Sequence, residues 1–127
     1  MKIVFFGTQP YDRESFDALN SNGTYGFDIV YHHSHLTPDN AILARGADGV
    51  CIFVNDTADR ETIGRLAAMG VKLIALRCAG FNNVDLMAAA ECGIGVVRVP
   101  AYSPHAVAEH AVALLLALDR KVHRAYW

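Results

Sequence analysis

Lys72-Leu73-Ile74-Ala75-Leu76-Arg77 and Gly95-Val96-Val97-Arg98-Val99 are two short apolar runs, and the segment between them decides the fold. Arg77 hands over to Cys78-Ala79-Gly80-Phe81-Asn82-Asn83, after which Val84 to Cys92 carries apolar residues at helical spacing. Neither run alternates as a strand with one wet face does. A near-continuous apolar strand is covered on both faces. Strand, helix and strand joined by short connections make a right-handed crossover in a parallel sheet.

The unit repeats outward. Lys2 to Phe6, Asp28 to His32 and Gly49 to Val54 are further strand-like runs, while Asp12 to Asn20, Pro38 to Arg45, Asp59 to Met69 and Pro104 to about Tyr126 have helical spacing. Thr37-Pro38 and Ser103-Pro104 each set a hydroxyl cap before a proline at the first helical position, where a missing N–H costs nothing. Gly46, Gly70 and Gly93 stand just past helix ends, where a left-handed residue is wanted. The pattern predicts an α/β domain with a flavodoxin-like, doubly wound, five-stranded parallel sheet and helices on both faces.

At 127 residues the chain has the length of one domain, and 53% hydrophobic against 19% charged residues allows a substantial core. A net charge of -2 and a pI near 6.3 provide no basic face for nucleic acid or an anionic membrane, and point to a small-molecule or protein partner. Met1 to Phe6 is too short for a signal peptide, and Ala111 to Leu118 falls short of the roughly 20 residues that span a bilayer. Cys51, Cys78 and Cys92 have no metal or redox spacing. They are expected to be reduced, mostly buried thiols of a cytoplasmic protein.

Ligands of such sheets gather beyond the carboxyl ends of the strands. That rule selects Gly7-Thr8, His33 to His35, Phe53 to Asp56, Cys78 to Asn83 and Pro100 to Ser103. Ala79 and Gly80 have almost no side chain, so their amides can approach an anion, and successive free amides suit a carboxylate. Equally, a tight turn can demand that glycine for itself. Asn83 stands where it would cap the next helix. Tyr102 either walls a pocket and donates a hydrogen bond or packs over a helix start. Phe53 either closes the apolar side of a site or belongs to the core.

Other candidates lead elsewhere. Asp56 matches the phospho-acceptor of a receiver domain, but Phe6-Gly7-Thr8-Gln9 lacks the acidic pair that would hold Mg²⁺. His32, His33 and His35 share one loop with no Cys or carboxylate cluster, so no metal is expected. His105 and His110 fall on the last helix, and His110 does not face its neighbour Glu109. Gly93-Ile94-Gly95 leads into a strand, not a helix, and the sequence has no G-x-G-x-x-G, P-loop, G-x-S-x-G elbow or paired carboxylate. No residue of this chain is therefore expected to be catalytic.

At Arg77-Cys78-Ala79-Gly80-Phe81-Asn82-Asn83-Val84-Asp85, and again from Val99-Pro100-Ala101-Tyr102-Ser103-Pro104 to His110, the sequence resembles the D-isomer-specific 2-hydroxyacid dehydrogenases. Within that family it is most similar to the bacterial fermentative D-lactate dehydrogenases. The likeness runs from Met1-Lys2-Ile3-Val4 through Asp48-Gly49-Val50 to His123-Arg124-Ala125-Tyr126. It implies a subunit whose flavodoxin-like, substrate-binding domain is interrupted by a Rossmann domain that binds NAD and mediates dimerisation. Residues 1–103 would be the substrate-binding domain, and residues 104–127 the helix leading to an NAD-binding domain that the chain lacks.

The reaction implied is hydride transfer from NADH to the carbonyl carbon of pyruvate. By position, the amides of Ala79 and Gly80, next to Cys78, match those that hold the substrate carboxylate. Tyr102 matches a tyrosine at the pyruvate and nicotinamide site, Phe53 an aromatic at the methyl end, and Val107 a residue against the nicotinamide. The family's proton-donating histidine with its glutamate, its carboxylate-clamping arginine and its glycine fingerprint all fall beyond Trp127. The chain alone is thus expected to be inactive.

Two other readings stand beside this one. The chain could belong to a relative acting on hydroxypyruvate, glyoxylate or phosphoglycerate, or be a stand-alone module that binds a small carboxylate. Tyr102 and Phe53 suit a small apolar substituent, which favours lactate. Ala106, Val107, Ala111, Leu114, Leu115 and Leu118 make the last helix apolar over more than one stripe, as where two domains meet. The whole enzyme is expected to be a homo-oligomer, and this helix to self-associate when exposed.

Overall fold

The strands β1 (Lys2–Phe5), β2 (Asp28–Tyr31), β3 (Gly49–Ile52), β4 (Leu73–Leu76) and β5 (Gly95–Arg98) form one sheet of order β2-β1-β3-β4-β5. Every neighbouring pair is parallel. This is a computed structural model, and it describes residues 1–125, with side chains through residue 124. The chain steps from β1 outward to β2, then returns past β1 to build β3, β4 and β5. The direction reverses between β1 and β3, where the loops leaving the strands diverge and open a crevice. The expected doubly wound sheet is what forms.

Alternation along the strands sorts the side chains. Val4, Val50, Ile52, Ile74 and Leu76 turn to one face and join Ala41, Ala44, Ile63, Leu66, Ala88 and Ala89 in a buried core. The helical residues of that core come from a 3-10 helix (Pro38–Ala44), α2 (Arg60–Ala68) and α3 (Leu86–Glu91). The opposite face carries α1 (Pro10–Asn20), whose Phe16 meets Phe5 edge-on with ring centroids 4.7 Å apart. Beyond α1 that face is open: Ala75 is half-buried, and Val97 and Val99 are 52% and 40% exposed. The expectation of helices on both faces therefore holds for β1 but not for β4 and β5. Apolar patterning reports that a face is suited to burial, not that the covering element lies within reach.

Four local expectations are corrected by the structure. Residues 38–44 form a 3-10 helix, in which positions three apart eclipse; Ala41 and Ala44, both fully buried, use that spacing to present one line to the core. Next, α3 begins at Leu86 and is capped by Asp85, which accepts from the Ala88 N–H at 2.8 Å. Asn83 cannot serve, because residues 83–85 are held extended against Ala58 by the Ala58 N–H to Asn83 O and Asp85 N–H to Ala58 O bonds.

The last helical segment is two helices, α4 (Pro104–Asp119) and α5 (Val122–Ala125), separated where Lys121 adopts a left-handed φ of 52°. Tyr126 and Trp127, which the expected inter-domain helix and the sequence resemblance included, lie outside the described residues. Finally, only Cys51 is buried, whereas Cys78 and Cys92 are half-buried. The punctuation is as expected elsewhere. Gly46, Gly70 and Gly93 have φ of 74°, 89° and 66°, and Ser103 accepts from the Ala106 N–H at the start of α4.

Candidate functional site

Three loops meet at the carboxyl edge of the sheet. The loop after β3 (residues 53–56) is organised by Asp56, whose side chain is fully buried. Its two carboxylate oxygens accept the backbone N–H groups of Leu36 at 2.6 Å and Phe53 at 2.5 Å. That fixes the backbone on which the Phe53 ring is mounted. Asp56 is a structural anion, saturated by amides, and not an exposed acceptor of phosphate.

The loop after β4 is tied to this one. The Asn83 side-chain amide donates to the carbonyls of Phe53 and Asp56, each at 2.9 Å. On its other side the loop is bound to the segment leaving β5. Arg98 donates to the carbonyls of Ala79 at 2.9 Å and Pro100 at 3.0 Å, and the Val99 N–H donates to Cys78 O at 3.2 Å. Residues 78–83 are thus braced from both flanks, as a rigid platform must be.

Within the platform, the N–H groups of Ala79 and Gly80 donate to none of the described residues. Gly80 has neither a left-handed φ nor a heavy atom within 4 Å of where a Cβ would stand. The turn itself therefore does not require glycine, and the missing side chain leaves the amide open to approach. This weighs against the plain-turn reading of the loop. Gly7, by contrast, is held by its fold: its φ is 59°, and a Cβ would fall 2.7 Å from His35 Nδ1.

Arg77 lies under all of this, with its side chain only 9% exposed. Its guanidinium donates to Phe6 O at 3.1 Å and Gly7 O at 3.3 Å, and pairs with Asp12 at 3.6 Å. Phe53 and Arg77, with Gly7, Asp12, His35 and Asn55, line a cavity of about 350 Å³.

The structure brings Phe53, Cys78, Ala79 and Gly80 onto one braced edge, and it leaves Tyr102 and Val107 exposed. Tyr102 is 70% exposed and pairs with no ring or hydrogen-bonding group among the described residues. Val107 is 53% exposed on α4, a helix with no buried residue. Sequence reasoning passed over Arg77 and Arg98 and misassigned Asn83. An arginine at the end of an otherwise apolar strand carries no signal that separates a buried brace from a solvated terminus.

The remaining titratable groups are elsewhere engaged. His33 Nδ1 lies 3.0 Å from Thr8 O, and His35 Nδ1 lies 3.5 Å from Asp56 Oδ1, which is long for a hydrogen bond. His105 and His110 are exposed on α4. Among the described residues no three His, Cys, Asp or Glu side chains converge on a possible metal position. Burial pushes the Cys51 thiol up to about 11, and it raises that of Cys78 as well, so neither is primed as a nucleophile. No helix of the described residues is long and apolar enough to cross a membrane.

The model of the D-isomer specific 2-hydroxyacid dehydrogenase catalytic domain matches residues 3–126. A 2-hydroxyacid dehydrogenase homolog of Schizosaccharomyces pombe is 60% identical over 126 residues, covering 99% of this chain and 37% of that protein. D-lactate dehydrogenase of Escherichia coli is 49% identical over 126 residues, with 99% and 38% covered. The chain thus spans well under half the length of the curated relatives it matches. In structure, apo D-lactate dehydrogenase from Escherichia coli aligns with a TM-score of 0.87 over 99% of this chain and 39% of its own. The NAD-complexed D-isomer specific 2-hydroxyacid dehydrogenase of Lactobacillus delbrueckii aligns at 0.74 with 27% identity, over 96% of this chain and 37% of its own.

Proposed function

The chain belongs to the D-isomer specific 2-hydroxyacid dehydrogenase family, and from that premise we propose that it is the substrate-binding part of an NAD-dependent D-lactate dehydrogenase. The observation that carries this reading is the braced loop with two uncommitted amides at Ala79 and Gly80. A pair of fixed N–H groups donates to a carboxylate without reorganising, and it favours an anion in a site shielded from water. Phe53 limits the methyl end of the pocket, with Cys78 beside the amides.

In this reading α4 leads toward a domain that binds NAD, which fits its bare apolar surface at Val112, Leu114, Leu115 and Leu118. Tyr102 and Val107 meet nicotinamide and substrate once that domain is in place. When bound there, the reduced cofactor, NADH, would supply the hydride to the carbonyl carbon. The proton donor and the carboxylate clamp come from the same second domain, and subunits pair through it. Among the described residues, the platform's part is to hold the 2-oxo acid by its carboxylate with one face of the carbonyl presented.

Kinetics of the full-length enzyme test this. Pyruvate is expected to be reduced by NADH with a higher kcat/KM than hydroxypyruvate or glyoxylate. Gly80→Val leaves stability within about 0.5 kcal/mol, since its new side chain enters open space. It should nonetheless cut kcat/KM for pyruvate at least about tenfold, as for a lost hydrogen bond to a charged group. Full activity in Gly80→Val would remove the platform from the site.

A further inference from the structure

Granted the dehydrogenase reading on which it rests, we infer that Arg77 is a positioning residue for substrate size: it props the ring of Phe53 against the pocket. The two parts of Phe53 are held by different means. Its backbone is pinned by Asp56, through the N–H at 2.5 Å, and by Asn83, through the carbonyl at 2.9 Å. Its ring has a neighbour of another kind, the Arg77 guanidinium, whose carbon lies 5.6 Å from the ring centroid. The same guanidinium lies 5.5 Å from the centroid of Phe5, so a planar cation sits between two aromatic rings.

Arg77 is itself held by several partners. Its Nη1 donates to Phe6 O at 3.1 Å and Cys51 O at 3.4 Å, its Nη2 to Gly7 O at 3.3 Å, and Asp12 lies 3.6 Å from Nε. The carbonyl partners belong to β3 and to the residues just after β1, the two strands at the switch point, and Asp12 to the first turn of α1. A lysine in this position keeps the charge but not the planar fork that reaches several carbonyls at once and stacks on a ring. Phe53 itself lines the 350 Å³ cavity, together with Gly7, Asp12, His35, Asn55 and Arg77. Without its prop, the ring has room to swing away from the substrate. The pocket then accepts a longer side chain, while the carboxylate platform, braced separately by Asn83 and Arg98, stays where it was.

The test compares kcat/KM for pyruvate and for 2-oxovalerate, two methylenes longer, in the full-length enzyme with NADH. Arg77→Lys is expected to raise the 2-oxovalerate to pyruvate ratio about tenfold, the scale on which a pocket discriminates by a methylene. Phe53→Ala raises the ratio at least as much, and adding Arg77→Lys to Phe53→Ala changes it no further, because no ring remains to be held. Should Arg77→Lys fail to fold, Asp12→Asn loosens the guanidinium with Arg77 in place and moves the ratio the same way. An equal loss on both substrates, carried unchanged into the Phe53→Ala background, would overturn the inference and leave the dehydrogenase reading intact. A wild-type enzyme that reduces neither acid overturns both.

Discussion

Asp56→Ala is expected to lower the unfolding free energy of this chain by about 3 kcal/mol, a large effect for one substitution. The reason is an imbalance in hydrogen bonding. The carboxylate is fully buried and satisfies two backbone donors, Leu36 N–H and Phe53 N–H. Removing it strands the Leu36 amide away from water and leaves the half-buried Phe53 amide without its partner, and each bond to a charged acceptor contributes about 1.5–3 kcal/mol. Asn at this position keeps one acceptor oxygen and places an NH₂ against an N–H, so Asp56→Asn falls between. Urea unfolding followed by circular dichroism measures all three proteins. A change below about 1 kcal/mol for Asp56→Ala would mean that another group already serves those amides.

The second large effect is the loss of activity in the chain by itself. Purified residues 1–127 are expected to leave NADH unconsumed in the presence of pyruvate. In the proposed reading the platform at Ala79 and Gly80 would only orient a carboxylate, and orientation without a hydride donor in place and a general acid gives no turnover. Among the described residues, the His35–Asp56 contact is the one histidine–carboxylate pair at this edge. Its Asp56 oxygen already accepts the Leu36 N–H, and the 3.5 Å separation is long, so the pair is a poor proton relay. NADH oxidation that survives purification and disappears in His35→Gln would contradict this and assign the acid to His35.

Much of the fold could be read from the residues. Continuous apolar runs gave the parallel sheet, and glycines 46, 70 and 93 marked turns that do adopt left-handed φ. The site was legible as a place, since loops at the carboxyl ends of the strands were the ones to inspect. It was less legible as a mechanism of support. Asn83 has the side chain of a helix cap and precedes a helix, yet it stands two residues before the cap at Asp85 and bridges Phe53 and Asp56. Only the distance between two loops, set by strand pairing, decides between those uses. Arg77 misleads in the same way. At the end of an apolar strand an arginine reads as a solvated terminus, but here the Phe6 and Gly7 carbonyls and Asp12 surround it. The bare half of the sheet could not be foreseen either, because Ala75 and Val97 carry the same apolar signal whether or not a helix covers them.

Oxamate, which has the shape and charge of pyruvate but accepts no hydride, allows the central claim to be observed directly. A crystal structure of the full-length enzyme with NADH and oxamate is expected to place the ligand carboxylate within hydrogen-bond distance, about 2.7–3.2 Å, of the Ala79 and Gly80 nitrogens. The other end of the ligand should rest toward Phe53, with the Tyr102 hydroxyl turned in. A carboxylate bound elsewhere, with those two amides still free or filled by water, would contradict the assignment of this platform as the substrate site.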